Sequence, residues 1–142
     1  MAGTRTKKLM NDPDAIVREM AEGVAAVHET VVRLHDDDWR VVLARHPNPE
    51  AKVGIVVGGG SGHEPALSGF VGEGMLDYRV VGDIFAAPGA PKVVEALQMA
   101  KDDAGILFVV LNHAGDIMSG NMAQEMAEKE GIKLARVTTH ED

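Results

Sequence analysis

A chain of 142 residues, 45% hydrophobic and 25% charged, is long enough for one domain with a real core and too evenly mixed to stay unfolded. Its 22 acidic residues against 14 basic ones give a net charge of -8, which repels nucleic-acid phosphates and anionic lipid surfaces, so neither partner is expected. No run approaches the ~20 apolar residues that span a bilayer, the first residues lack the apolar stretch of a signal peptide, and there is no cysteine, which together make a cytoplasmic location the expectation.

Residues 1–12 are polar and read as a flexible N-terminal segment, leaving 13–142 as a single α/β domain. Asp12 followed by Pro13 has the form of an N-cap with proline at the first helical position. A helix follows in "DAIVREMAEGVAAVH", where Ile16, Met20, Val24 and Val27 recur at helical spacing around an unfavourable Gly23. The acidic run Asp36 to Asp38 reads as a solvated turn. "WRVVLARH" is a short β-branched strand suited to a sheet edge, and "HPNPE" is a loop by its two prolines. "AKVGIVVGG" is a nearly unbroken apolar run, the pattern of a parallel strand covered on both faces.

Strand and helix then alternate. "EPALSGFVGEG" holds a short helix, "YRVVGDIF" a strand, "PKVVEALQMAKD" a helix, "AGILFVVLN" a strand, "DIMSGNMAQEMAEKEG" a helix and "KLARVTT" a last strand. Such alternation predicts right-handed crossovers and an open, mostly parallel, doubly wound α/β sheet with flanking helices. Met118, Met122 and Met126, four residues apart, read as a core stripe of the last helix.

In open parallel sheets ligands bind beyond the carboxyl ends of the strands. Three loops qualify by position: "GGGSGHEP", "FAAPGAP" and "NHAGD". The first is no nucleotide loop, because Gly62 is followed by His63 and Glu64 rather than lysine and a hydroxyl residue. The dinucleotide spacing puts His63 or Pro65 where its third glycine belongs. It reads instead as a backbone cradle for a small polar ligand.

His63 is a candidate general acid/base or hydrogen-bond donor to a substrate oxygen. A metal site is disfavoured because only the adjacent Glu64 stands at ligand spacing. Asp116 is either the cap of the following helix or a base, and beside His63 the base is the preferred reading. His113 reads as structural, and His28, His35, His46 and His140 as solvated.

Taken together, "KKLMNDPDAIVREMAEGV", "GIVVGGGSGHEPALSGFVGEGMLD", "GDIFAAPGAPKVVEAL" and "NHAGDIMSGNMA" resemble, in order, the N-terminal domain of the dihydroxyacetone kinase substrate-binding (K) subunit family, from about Lys7 to Thr139. The resemblance implies that Gly60, Ser61, Gly62 and His63 line a pocket for dihydroxyacetone or a similar short ketose, and that Asp116 accepts the proton of the attacking hydroxyl. It implies no cofactor in this chain: ATP or bound ADP with Mg sits on a nucleotide-binding partner subunit, recharged in some bacteria by a phosphotransferase protein. It also implies a homodimer.

The family's second half, which carries a histidine that holds the ketone as a hemiaminal, has no counterpart in these residues. Leu111 stands where kinase-active members carry a substrate-contacting lysine, in a pattern similar to "KNYTGD". His113 and Ala114 replace an aromatic and a hydroxyl residue, and "FAAP" lacks the hydroxyls of "FTSP". These departures leave two alternatives beside the dihydroxyacetone kinase: a non-catalytic ketone-binding or regulatory paralogue, and a kinase for a four-carbon ketose such as erythrulose.

Overall fold

A computed structural model describes residues 7–46, 52–102 and 104–140. Part of the expected flexible segment, residues 1–6, and residues 47–50 of the proline loop lie outside the described residues, and residues 7–12 carry no helix or strand. The chain opens with a 3-10 turn, Pro13–Ala15, whose cap Asp12 accepts a hydrogen bond from the Asp14 amide at 2.9 Å. It continues as helix α1 (Ile16–Val27) and strands β1 (Val32–Leu34), β2 (Val41–Ala44), β3 (Gly54–Ser61) and β4 (Tyr78–Ile84). Helix α2 (Ala90–Met99), strand β5 (Ile106–Val110), helix α3 (Ala114–Lys129) and strand β6 (Leu134–Thr138) complete it.

The six strands form one sheet in the order β1-β2-β4-β3-β5-β6. Strands β4, β3, β5 and β6 run parallel, while β2 is antiparallel to both β1 and β4. The chain leaves β3 for β4 on one side and returns across it to β5 on the other. That reversal opens a crevice at the carboxyl end of β3, between its loop and those after β4 and β5.

Two apolar layers hold the sheet. On one face α2 and α3 cover Val56, Val80, Ile106, Phe108 and Val110. On the other, α1 covers Val32, Val42, Ala44 and Val81 with Val17 and, less deeply, Ile16, Met20 and Val24. Val80 and Val81 belong to opposite layers, as successive strand residues must.

Several expectations from sequence change here. The "WRVVLARH" strand is interior, with Val41 to Ala44 all buried, because the three-residue β1 pairs alongside it and takes the edge. Val27 is exposed, and Val17 and Ala21 carry the buried stripe of α1. The segment after β3 contains only a 3-10 turn, Ser68–Phe70. Asp38 does not belong to a solvated turn: it is half-buried, accepts from the Arg40 amide at 3.0 Å and pairs with Lys92 of α2 at 2.9 Å.

The methionine stripe of α3 is also corrected. Met118 and Met122 are exposed, Met126 only touches the core, and the buried face is Asp116, Gly120, Ala123 and Ala127. Small residues are required there because the helix lies close on β5: a Cβ on Gly120 would sit 2.9 Å from Val110 Cγ2. In α1 a Cβ on Gly23 would meet nothing within 4 Å. Gly23→Ala is therefore expected to stabilise the protein by about 0.5–1 kcal/mol, and Gly120→Val to destabilise it by about 1–3 kcal/mol through overpacking. Chemical denaturation of the two variants checks both signs.

Candidate functional site

Strand β3 does not break at its glycines. It runs on through Gly58, Gly59 and Gly60 to Ser61, and the glycines are there because other parts of the chain press on them. A Cβ on Gly59 would lie 2.4 Å from Leu67 Cδ1, and one on Gly60 would lie 2.9 Å from the Ala86 nitrogen. On β4, a Cβ on Gly82 would fall 2.1 Å from the Ala86 carbonyl oxygen. The segment after β4 thus folds back over both strand ends, pinned by the Phe85 amide donating to Ser61 O at 2.8 Å. Close approach is real at these glycines, but the approaching groups belong to the protein itself.

Gly62 turns the chain at φ 110, with the Phe85 ring so near that a Cβ would lie 2.7 Å from it. Its amide donates to Glu64 Oε2 at 2.8 Å. Ser61 is fully buried, and its hydroxyl donates to Gly82 O at 2.8 Å. Of the expected binding residues, then, Gly60 lines the crevice, while Ser61 and Gly62 contribute backbone shape.

Beneath this loop lies Arg79 of β4, 0% exposed. Its guanidinium donates to Gly60 O at 3.1 Å and to the Ser68 hydroxyl, and pairs with Glu64 at 3.5 Å. Burial pulls its pKa below the ordinary guanidinium value and Glu64 opposes that pull. Arg79 was not singled out from sequence, although a charged residue inside the apolar strand "YRVVGDIF" was a signal that it has buried partners.

The crevice is a cavity of about 510 Å³ at the carboxyl ends of β3, β4 and β5. Gly60 forms one side and Phe85 to Ala90 another, and the start of α3 with His113, Asp116 and Ser119 forms a third. Asp116 is the third residue of α3, and the cap position falls to His113, so the capping alternative for Asp116 does not hold. Asp116 is 9% exposed, and its Oδ1 is buried without a hydrogen-bond partner. Burial raises its pKa, against the opposing influence of His113 and then His63.

His63 is exposed at the mouth. Its ring meets Phe85 edge-on with centroids 5.3 Å apart and lies nearly parallel to His113 at 6.3 Å. Two residues from different strand ends, His63 and Asp116, are thereby brought into one cluster. His113, read as structural from sequence, joins it. Leu111 does not line the cavity; it packs toward Gly59, where a Cβ would meet its Cδ1 at 3.1 Å.

A buried acceptor flanked by two imidazoles suits binding and deprotonating a hydroxyl. The cavity does not fit a polyphosphate: Asp116 faces it and no described lining residue is lysine or arginine. Among the described residues no cluster of three or more His, Asp or Glu has the geometry to hold a metal ion, and no helix is long and apolar enough to cross a membrane.

Fold and site define a mostly parallel α/β domain with a cavity at its topological switch point. Residues 22–142 match the Dak1 domain, and the chain belongs to that family. It is 40% identical over 136 residues to the dihydroxyacetone-binding subunit of a PTS-dependent dihydroxyacetone kinase from Listeria innocua, which aligns with 96% of this chain and 41% of that protein. The dihydroxyacetone kinase from C. freundii, solved in complex with AMP-PNP and Mg2+, matches with a TM-score of 0.87 at 31% identity, covering 94% of this chain and 25% of that one. A dihydroxyacetone kinase operon co-activator matches with a TM-score of 0.79 at 31% identity, over 88% of this chain and 38% of that one. The chain thus spans about two fifths of the curated relative's length.

Because the native pKa of Asp116 is raised, its ionisation opposes folding. The protein has the full benefit of the neutral acid below about pH 3.9 and loses it as pH rises through the native pKa. Asp116→Asn is therefore expected to be more stable than the parent at pH 7, with the difference vanishing near pH 3. Denaturation at the two pH values measures it.

Proposed function

We propose that this chain is the acceptor-binding part of a ketose kinase, holding dihydroxyacetone or a similar short ketose while a partner subunit delivers the phosphoryl group. The observation that carries this reading is Asp116, which lines the cavity with a buried carboxyl group beside the two imidazoles. A substrate hydroxyl hydrogen-bonds that carboxylate. As its oxygen attacks the donor's terminal phosphorus and the phosphorus–oxygen bond to the leaving group breaks, Asp116 takes the hydroxyl proton. Burial favours this step by making the carboxylate a stronger base. His63 donates a hydrogen bond to the substrate's carbonyl oxygen from the mouth, and Gly60 forms part of the cavity wall.

The relatives, a dihydroxyacetone-binding subunit and a dihydroxyacetone kinase, support the ketose as ligand. The donor, ATP or bound ADP with Mg, is assigned to the partner because the cavity lacks the cations a polyphosphate needs. A homodimer and a cytoplasmic location accompany this reading and rest on the family resemblance and on composition.

A second reading, a ketone-binding regulator without turnover, is favoured by one observation: Leu111 packs toward Gly59 and brings no polar group to the cavity. The co-activator among the structural relatives shows that this architecture also occurs in a regulator. One experiment separates them. The chain is combined with the second half of a Dak1 relative and a nucleotide-bearing subunit, and phosphoryl transfer to dihydroxyacetone is followed alongside ketose binding. The kinase reading expects Asp116→Asn to lower transfer by about 10²- to 10⁴-fold with affinity little changed, and His63→Ala to weaken binding about tenfold. Binding without product above background selects the regulator, and unchanged affinity in His63→Ala removes His63 from the site.

A further inference from the structure

Among the described residues that wall the cavity, three side chains carry oxygen or nitrogen: His113, Asp116 and Ser119. They are not equivalent. An ionised carboxylate only accepts hydrogen bonds, and the Ser119 hydroxyl donates to Pro88 O at 2.5 Å. The facing wall of Ala86, Ala87 and Pro88 brings carbon side chains, and the Ala86 amide donates to Asp83 O at 3.1 Å. Within the wall, His113 is therefore the side chain with nitrogen to present to a ligand.

The helix does not account for a histidine at this position. His113 stands at the N-cap of α3, where Ser, Thr, Asp and Asn are favoured because their side chains bond the first amides. Its own side chain makes no such bond, and its backbone carbonyl accepts the Ile117 amide at 2.9 Å whatever the side chain. The ring belongs to the site instead. It lies within 10° of parallel to His63 with centroids 6.3 Å apart. Burial raises the Asp116 pKa, and of the two imidazoles His113 opposes that rise the more strongly. His113 thus shares one cluster with the carboxylate and with the residue at the mouth.

We infer that His113 selects a ketose with a hydroxyl on each side of its carbonyl, its imidazole hydrogen-bonded to the second hydroxyl while Asp116 holds the first and His63 the carbonyl oxygen. This rests on the acceptor-site reading given above and names the residue behind its specificity. Dihydroxyacetone enters with three oxygens, and a hydroxyl buried without a partner costs free energy. Asp116 and His63 account for two of them, and Leu111, just after β5, packs toward Gly59 and brings nothing polar. The His113 imidazole takes the third.

NMR titration of the 142-residue chain with dihydroxyacetone and with hydroxyacetone, which lacks the second hydroxyl, tests this in the parent, His113→Phe and His113→Ala. The parent is expected to bind dihydroxyacetone about three- to tenfold more tightly than hydroxyacetone, the worth of one hydrogen bond. His113→Phe keeps a ring beside His63 but no nitrogen, and is expected to bring the two affinities together by weakening dihydroxyacetone alone. His113→Ala, without the bulk of a phenyl ring, is expected to do the same. A merely structural role would weaken both ligands alike. Equal affinities in the parent, a preference that survives in either variant, or a loss shared by both ligands overturns the inference and leaves the acceptor site standing. No binding of either ligand by the parent overturns both.

Discussion

The guanidinium of Arg79 is sealed beneath the loop that follows β3, and the site depends on where it reaches. It ties the Gly60 carbonyl at the end of β3 to the Ser68 hydroxyl in the 3-10 turn and to the carboxylate of Glu64. Glu64 in turn accepts the Gly62 amide, so one buried cation fixes both sides of the turn that carries His63. A buried charge is costly unless paired, and removing one partner from such a pair costs about 3–5 kcal/mol, so the loop has little freedom to leave its cation. The position of His63 at the mouth is thus set from underneath, by a strand residue that does not line the cavity.

A second constraint comes from the glycines. Gly59, Gly60, Gly62 and Gly82 let Leu67, the Ala86 backbone and the Phe85 ring come closer than any side chain would allow. This draws the segment after β4 across the strand ends, turning an open sheet edge into a walled cavity. The start of α3 supplies the remaining wall, brought close to β5 by Gly120. The buried carboxylate of Asp116 is the product of this packing: a group placed where water is scarce, with one oxygen lacking a hydrogen-bond partner.

Much of the fold was legible in the residues. The unbroken apolar runs of β3 and β5 and the alternation of strand with helix announced a parallel α/β sheet, and Asp12 with Pro13 marked a helical start. Strand β1 was not legible because three residues pair only in the presence of β2. The methionines of α3 misled because periodicity identifies a stripe without saying whether a smaller stripe, here Gly120, Ala123 and Ala127, packs better. At the site, His63 and Asp116 stood out by type and position, but their meeting through His113 depends on the reversal of strand order about β3. The glycine run was visible, while what it accommodates was not, since the close contacts come from residues 67 and 85–86. Arg79 was hidden because its partners lie 11 to 19 residues away in sequence.

The central claim is that the ligand loop is organised by the buried guanidinium, and amide hydrogen exchange in Arg79→Met tests it most directly. The amides of Gly62, Ala66 and Gly69 are hydrogen-bonded within the loop to Glu64, His63 O and Pro65 O, and the amides of β5 and β6 serve as a distant reference in the same molecule. The account predicts that exchange at these three amides accelerates by at least about tenfold, the equivalent of about 1.4 kcal/mol of local stability, while β5 and β6 keep most of their protection. Unchanged protection at Gly62, Ala66 and Gly69 in a folded variant would contradict it.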